Sequence, residues 1–309
     1  MSVPDSLSFR DDLVALFPGQ GSITGGAGRA WRTSAQWHVV ERVSAASGLD
    51  VEHLLIEATD DEIVRTDRAQ IATFALSMLG YEQLVARGVR PRHLLGHSLG
   101  EFSALVASGL LSLEDGAILI TVRGRAMAHA AEKRAGSMVA LMGPSDGARE
   151  ALGSLADLWI ANINGPGQIV MSGTREALDD LLARHKDLGW RRATPIAVGG
   201  AFHSPLMASA QAELDDALAK VTWRTTEARL YANVDGCEHR GAAEWRDLLS
   251  RQLTSPVQFL DATLALPEDV RTSIEMPPGA VLSGLTKRIR DFDAQYSPTK
   301  PADLEELPL

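Results

Sequence analysis

The sequence predicts an α/β fold in which a small domain is inserted into a larger one. Three observations support this: a strand–turn–helix pattern around Ser98, an apolar run at residues 13–17 followed by a glycine-rich turn, and a change of pattern at Gly136. From Gly136 onward the predicted order is β-α-β-β-α-β, the split βαβ arrangement. We therefore assign residues 13–134 and 199–290 to a large domain, 135–198 to a small domain, and 291–309 to a surface tail.

The first strand, at residues 13–17, stops at the turn Pro-Gly-Gln-Gly-Ser. This turn has neither the G-x-G-x-x-G pattern nor the P-loop lysine, so nucleotide binding is not favoured. Its other use is to present a backbone N–H at the carboxyl edge of the sheet, where open α/β sheets bind ligands.

Hydrophobic periodicity predicts the remaining elements. In the large domain, helices are expected at residues 37–47, 62–65, 69–87, 113–133, 206–220 and 244–253, a short strand at 229–231, and a last helix ending near 290. In the small domain, strands are expected at 137–142, 158–163, 168–172 and 191–197, and helices at 147–155 and 174–185.

Composition narrows the class of protein. Of 309 residues, 45% are apolar and 23% charged, which is typical of a globular protein with an ample core. The net charge of −10 argues against nucleic acid as a main partner. The single cysteine, Cys237, excludes an intramolecular disulfide and fits a reducing compartment. With no signal peptide and no apolar run of bilayer-spanning length, we expect a cytoplasmic protein without a membrane partner.

Ser98 is the strongest candidate for chemistry. Gly96, Ser98 and Gly100 form a G-x-S-x-G pattern between an apolar strand and a helix predicted at about 101–108. Such a turn is strained, so side chains are excluded on both sides of the serine. The geometry exposes the hydroxyl and directs the helix N–H groups at the group it attacks. The pattern favours an activated serine over a structural turn.

A nucleophilic serine needs a base. Among eight histidines, His97 adjoins Ser98 and points away from the line of attack, and a metal pair with His93 is disfavoured because the two lie on a strand and a turn. His203 lies where the chain re-enters the large domain, and clefts between domains bind ligands. From the residues alone, His203 is either the base or a packed loop histidine.

Seven sequence blocks resemble the malonyl-CoA:acyl-carrier-protein transacylase family in its stand-alone form. They occur in family order at residues 17–22 (FPGQGS), 96–105 (GHSLGEFSAL), 123–127 (RGRAM), 162–168 (NINGPGQ), 200–207 (GAFHSPLM), 252–257 (QLTSPV) and 282–289 (LSGLTKRI). The resemblance implies an α/β-hydrolase-like large domain with a ferredoxin-like small domain inserted into it.

The resemblance also implies roles for individual residues. Ser98 is the nucleophile and His203 its base, and a backbone carbonyl near Gln252, rather than a carboxylate, orients the imidazole. The backbone N–H groups of Gln20 and Leu99 form the oxyanion hole, where each donor is typically worth about 3 kcal/mol in the transition state.

Substrate selection is assigned by the same resemblance. Arg123 grips the free carboxylate of malonate, because a guanidinium offers two parallel N–H bonds to a planar acid. The alternative is a helix-surface arginine making i,i+4 pairs. Phe202 favours malonyl over methylmalonyl groups, and Asn164 contacts the acyl or thioester region unless turn chemistry accounts for it. His97 is counted with the substrate-binding residues.

The implied reaction is a ping-pong transfer of malonyl from coenzyme A, through a seryl ester, to the phosphopantetheine thiol of an acyl carrier protein in fatty-acid or polyketide synthesis. No metal or bound cofactor is expected, and the enzyme is expected to be a monomer. Since carrier proteins are acidic, local basic groups at 191–192 and 287–290 are candidate contacts, with solvated surface charge as the alternative. Competing functions are an acyl hydrolase of the same fold, a non-catalytic carrier-binding protein, and a transferase for another carboxylated acyl group.

Overall fold

The computed structural model describes residues 7–153 and 155–308, and its strands form two sheets. In chain order the strands are β1 (Phe9–Phe17), β2 (Arg90–Gly96), β3 (Ser137–Pro144), β4 (Leu158–Gly165), β5 (Gln168–Gly173), β6 (Trp190–Ile196), β7 (Arg229–Tyr231), β8 (Glu238–His239), β9 (Thr272–Glu275) and β10 (Ala294–Tyr296). The helices are α1 (His38–Ser47), α2 (Val51–Ile56), α3 (Asp60–Ile63), α4 (Thr66–Ala86), α5 (Leu99–Ala107), α6 (Leu113–Lys133), α7 (Ala148–Leu152), α8 (Arg175–Arg184), α9 (Ala208–Leu218), α10 (Ala242–Gln252), α11 (Phe259–Leu264), α12 (Val281–Thr286) and α13 (Pro301–Glu305).

The larger sheet has the order β10-β9-β1-β2-β7-β8, and only the β7–β8 pair is antiparallel. Residues 13–17 of β1 are fully buried, as expected for a parallel strand covered on both faces. Phe17 pairs with Gly96, so β1 and β2 end at the same edge. The turns that carry Gln20 and Ser98 are thereby brought together.

Two long helices, α4 and α6, pack against each other and against α5, which contacts β1 and β2 of this sheet. Helix α4 packs against α5 and α6 and is buried along most of its length. A helix that is buried on all sides needs apolar residues around its whole circumference, which is the pattern of α4. Helix α6 begins at the Ser112 cap, whose hydroxyl accepts from the Asp115 N–H. Its bounds coincide with the predicted helix 113–133. Because Arg123 lies on α6, the contact between α4 and α6 fixes its position.

The smaller sheet is antiparallel with the order β4-β5-β3-β6. Together with α7 and α8 it has the ferredoxin-like arrangement, and all its strands fall within residues 137–196. Its edge strand β4 is tied to the large domain, since the Ile163 N–H donates to the Val257 carbonyl at 2.9 Å and the Val257 N–H donates to the Ala161 carbonyl at 2.8 Å. These bonds place the small domain beside the segment that follows α10.

The predicted tail at 291–309 lies at the surface in its described part, where most residues are exposed or half-buried, but it is structured and attached to the large domain. Strand β10 adds to the edge of the large sheet, α13 packs against α4, and Leu304 is fully buried. The Thr299 carbonyl also accepts a hydrogen bond from the indole of Trp31. The acidic, proline-rich composition of this segment gave no indication that a few apolar side chains, such as Leu304, attach it to the large domain.

Strand β9, which lies between β1 and β10, was not among the predicted elements because its segment is short and polar. Its last residue, Glu275, is fully buried and accepts from the N–H groups of Leu282 at 3.0 Å and Ser283 at 2.7 Å. The carboxylate thus satisfies donors at the start of α12, where helix N–H groups lack intrahelical partners. Within the described residues, no helix is both long and apolar enough to span a bilayer.

Candidate active site

The turn between β2 and α5 holds Ser98 in a strained conformation, with φ 54° and ψ −111°. A Cβ on Gly96 would overlap the backbone of Gly100, and a Cβ on Gly100 would overlap the carbonyl of Phe17. Both glycines of the G-x-S-x-G pattern are therefore required by close backbone approach. The turn places Ser98 directly before the N-terminus of an α-helix.

His203 meets Ser98 from the opposite side. Its Nε2 lies 2.8 Å from Ser98 Oγ, and its Nδ1 lies 2.9 Å from the backbone carbonyl of Gln252. Because a carbonyl only accepts, the ring proton resides on Nδ1 and Nε2 keeps its lone pair for the serine hydroxyl. The ring therefore faces Ser98 as an acceptor, which is the tautomer that a general base requires.

The loop that carries His203 is anchored on both sides of the ring. The Ser172 hydroxyl donates to the Phe202 carbonyl, and the Ser204 hydroxyl donates to the Ala201 carbonyl at 2.6 Å. His203 itself has φ 57° and is 3% exposed. The small-domain strand β5, through Ser172, thus helps to position a residue of the large domain.

We expect the His203 ring to remain neutral as the pH falls from about 8 to about 5. Burial lowers the pKa of His203 to about 3, with the positive charge of Arg123 as the second cause. A base with a lowered pKa loses its lone pair only when the pH falls below that value. The ring nitrogen resonances of His203, assigned by comparison with His203→Ala in protein with isotope-labelled histidine, test this directly. A titration midpoint near the usual value of about 6.5 would contradict it. Replacing Arg123 with alanine should raise the midpoint.

Arg123 lies on α6 with its side chain fully buried, which excludes the alternative of a helix-surface arginine. One Nη donates to Gln70 Oε1 at 2.6 Å. The other donates to Gln252 Oε1 at 2.9 Å and to Ser98 Oγ at 3.0 Å. The guanidinium therefore contacts the Ser98 hydroxyl.

The charge of Arg123 is held by neutral groups. Among the described residues no carboxylate lies within ion-pair distance of it, and its Nε has no hydrogen-bond partner. Burial lowers the pKa of Arg123 to about 9, and the more distant charge of Glu101 opposes this shift. A buried cation without a contacting anion is complementary to a ligand that brings a carboxylate.

Ser98 and His203 open into a cavity of about 230 Å³ between the domains. The other predicted residues that line it are Gln20, His97, Asn164 and Phe202. His97 Nε2 lies 2.9 Å from Asn164 Oδ1, so the His97 ring is paired with this side chain. Gln20 and Leu99 are the first residues of a 3₁₀ helix and of α5, positions whose N–H groups a helix leaves without an intrahelical partner.

A second cavity, of about 530 Å³, adjoins the first and shares Asn164, Gln168 and Leu285 with it. Arg191, Arg192 and Arg288 also line it.

All three of these arginines are exposed, and none takes part in an ion pair among the described residues. Arg290, grouped with them in the sequence, instead donates to the carbonyls of Leu266, Pro267 and Val270. These bonds hold its guanidinium against the protein itself, whereas those of the other three arginines line the second cavity.

Sequence reasoning missed three polar residues of the site: Gln70, Glu101 and Asn233. Glu101 accepts from the Asn233 backbone N–H at 2.6 Å and from the Gln252 side-chain amide. Burial raises the pKa of Glu101 to about 7. Two signals were available: Glu101 is the single charged residue in the mostly apolar segment 99–107, and Asn233 follows a short predicted strand at the ligand-binding edge. The described residues contain no group of three or more His, Cys, Asp or Glu placed to hold a metal ion.

The chain is similar to known proteins over most of its length. Residues 14–299 match the acyl transferase domain family. The chain is 34% identical over 288 residues to a malonyl CoA-acyl carrier protein transacylase of Bacillus subtilis (strain 168), covering 90% of each chain. A crystal structure of malonyl-CoA:acyl carrier protein transacylase from Xanthomonas oryzae superposes with a TM-score of 0.89 at 36% identity, covering 96% of this chain and 98% of the other.

A third similar structure is a complex. It contains a type II polyketide synthase acyl-carrier protein bound to its malonyl-transacylase, with a TM-score of 0.89 and 29% identity, covering 95% of this chain and 98% of the other.

Proposed function

The chain belongs to the malonyl-CoA:acyl-carrier-protein transacylase family, and we propose that it transfers the malonyl group through an ester on Ser98 with His203 as the base. It is an acyltransferase that moves malonyl from coenzyme A to an acyl carrier protein. The observation that carries the substrate assignment is the buried guanidinium of Arg123, which lies 3.0 Å from Ser98 Oγ and has no contacting carboxylate. It selects an acyl group with a terminal acid.

The first half-reaction forms the seryl ester. Ser98 Oγ attacks the thioester carbonyl while its proton passes to His203 Nε2, 2.8 Å away. The backbone N–H groups of Gln20 and Leu99 stabilise the oxyanion. The carbon–sulfur bond then breaks, and the coenzyme A thiolate takes the proton from His203.

The second half-reaction reverses these steps with a different thiol. The phosphopantetheine thiol of the carrier gives its proton to His203, and its sulfur attacks the malonyl ester. The bond to Ser98 Oγ breaks, and Oγ recovers the proton from His203. Neither half-reaction consumes water, whereas hydrolysis requires water to attack the malonyl ester. The fit of the carrier thiol beside that ester therefore decides between transfer and hydrolysis.

The malonyl carboxylate does more than bind. Since the guanidinium of Arg123 lowers the pKa of His203, it opposes formation of the imidazolium that both half-reactions need. A substrate carboxylate paired with Arg123 offsets that repulsion, while the Gln252 carbonyl accepts from Nδ1. Phe202, on the cavity wall, crowds a branch at C2 and thereby disfavours methylmalonyl, by about 1–3 kcal/mol for one methyl group.

Transfer and hydrolysis are separated by one experiment. The protein is incubated with malonyl-CoA and saturating acyl carrier protein, and malonyl carrier is measured against free malonate. Transfer should dominate, and the product would serve as the extender unit for fatty-acid or polyketide chains. Release of malonate faster than carrier loading would instead identify an acyl hydrolase.

The arginine-lined second cavity is proposed to receive the phosphate end of the pantetheine arm, which coenzyme A and the carrier share. Arg191, Arg192 and Arg288 supply positive charge in a protein whose net charge is −10. They would also face the acidic carrier, as steering by local charge requires. The enzyme is proposed to act on its carrier as a cytoplasmic monomer.

Charge reversal tests this surface. Arg192→Glu and Arg288→Glu should each raise the KM for carrier about tenfold, with the effect shrinking as salt increases and with little change in kcat. Arg246→Glu, an exposed arginine on α10 that lines neither cavity, is the matched control. Equal effects from all three variants would show that the cavity has no special role.

A further inference from the structure

We propose that Asn233 and Glu101 are positioning residues, which hold the Ser98 turn and the base-orienting Gln252 in a single geometry. The inference rests on the proposed role of Ser98 as the nucleophile. Neither residue lines the substrate cavity, and both are buried, with 0% and 1% exposure respectively. Their effect would be exerted entirely through the groups they hold.

Asn233 spans the strained turn. Its Oδ1 accepts the Ser98 backbone N–H at 2.7 Å, and its Nδ2 donates to the Gly96 carbonyl at 2.7 Å. One side-chain amide thus bonds to the backbone on both sides of the turn, which needs a donor and an acceptor on the same short side chain. Asn233 can reach the turn because β7 pairs in parallel with β2, so the two strands end at the same edge.

Glu101 ties this clamp to the base. One carboxyl oxygen accepts the Asn233 backbone N–H at 2.6 Å, and the other accepts from Gln252 Nε2. The same Nε2 donates to the Ser98 carbonyl at 2.9 Å, and the backbone carbonyl of Gln252 accepts from His203. Glu101 therefore reaches the nucleophile through Asn233 and the imidazole through Gln252, although it touches neither reacting group.

The orientation of the Gln252 amide follows from these contacts. Its Oε1 accepts from Arg123, so its Nε2 must face Glu101. A flipped amide would direct donors at donors on the Arg123 side, so Glu101 must present an acceptor. The charged groups that act on Glu101 are Arg123, which lowers its pKa, and Asp235, which raises it. Burial is the largest cause and raises the pKa of Glu101 to about 7. A charged carboxylate is therefore costly at this buried position.

Loss of the clamp should lower kcat and leave KM nearly unchanged. A displacement of about 1 Å between reacting groups can cost about 100-fold in rate. Asn233→Ala removes both bonds to the turn, and we expect its kcat to be about 100-fold lower than that of the wild type. Asn233→Asp keeps the acceptor, and we expect its kcat to be about tenfold lower. Glu101→Gln places an amide donor against either Gln252 Nε2 or the Asn233 N–H, and its kcat should also fall at least about tenfold.

The experiment measures nucleophile reactivity separately from malonyl transfer. Labelling of Ser98 by a fluorophosphonate reports the Ser98–His203 pair whatever the natural substrate is, and kcat, KM and thermal unfolding are measured on the same variants. Gln83→Ala is the matched control, because Gln83 is a buried amide that donates to the Pro301 carbonyl outside the site. Its labelling rate should equal that of the wild type.

Labelling that falls with kcat in folded Asn233→Asp and Glu101→Gln supports the inference. A loss below about fivefold in both variants, or an equal loss in Gln83→Ala, overturns it. Should Asn233→Ala fail to fold, the two isosteric variants decide the matter, and if they also fail to fold the residues are structural and the inference is wrong. Normal fluorophosphonate labelling of the wild type without any malonyl adduct would refute the proposed function and leave the positioning test intact.

Discussion

His203→Ala is expected to lower the rate of malonyl transfer by about 100-fold to 10,000-fold, the usual contribution of a general base. The reason is geometric: Nε2 is the acceptor 2.8 Å from Ser98 Oγ, and the Gln252 carbonyl fixes the tautomer. Initial rates of carrier loading measure the loss, and the rate of Ser98 ester formation should fall in parallel because the first half-reaction needs the same proton transfer.

The matched control for this variant is His129→Ala, an exposed histidine on α6. Added imidazole should restore part of the activity of His203→Ala, since the deletion leaves space beside Ser98. Transfer within about tenfold of the wild type would assign the base to another residue.

Arg123→Ala is expected to reduce malonyl loading of Ser98 by about 100-fold to 10,000-fold. Two charge-assisted hydrogen bonds of about 1.5–3 kcal/mol each are lost, and each 1.4 kcal/mol corresponds to a factor of ten. Acetyl loading should hold or rise, because acetyl brings no carboxylate and His203 loses a neighbouring cation that lowers its pKa. Rates of adduct formation with the two acyl-CoAs give the comparison.

Two further variants refine this test. Arg123→Lys keeps the positive charge but lacks the planar guanidinium, so its rate of malonyl loading should lie between those of the wild type and Arg123→Ala. Arg125→Ala, an exposed residue on the same helix, should change neither rate. If Arg123→Ala lowered acetyl and malonyl loading equally, the guanidinium would be a structural support for Gln70, Gln252 and Ser98 rather than a substrate clamp.

Local sequence signals predicted the parts of the site that depend on local geometry. The strand–turn–helix pattern predicts the Ser98 turn because both required glycines, Gly96 and Gly100, lie within five residues of sequence. Helix α6 was predicted with its observed bounds because its periodicity and its cap lie within one segment. The positions of His203 and Arg123 needed the family resemblance, since nothing near either residue reveals its distance from Ser98.

The remaining contacts arise only from tertiary structure. Asn233 and Gln252 reach the Ser98 turn across more than a hundred residues, through β7 and α10. Short strands such as β9 and β10 carry too few residues to show a period, and the sheet beside them determines their pairing. Helix α13 is only five residues long, so its sequence alone does not show a helical period. Its position is determined by the surface of α4 that it covers.

The central claim is that malonyl rests covalently on Ser98 while one thiol is exchanged for another. Intact mass spectrometry of the wild type after brief exposure to malonyl-CoA, with Ser98→Ala as the blank, tests it most directly. We expect a mass increase of one malonyl group that maps to Ser98, disappears on adding acyl carrier protein, and reappears on the carrier. Carrier loading without any adduct on Ser98, or an equal adduct on Ser98→Ala, would contradict it.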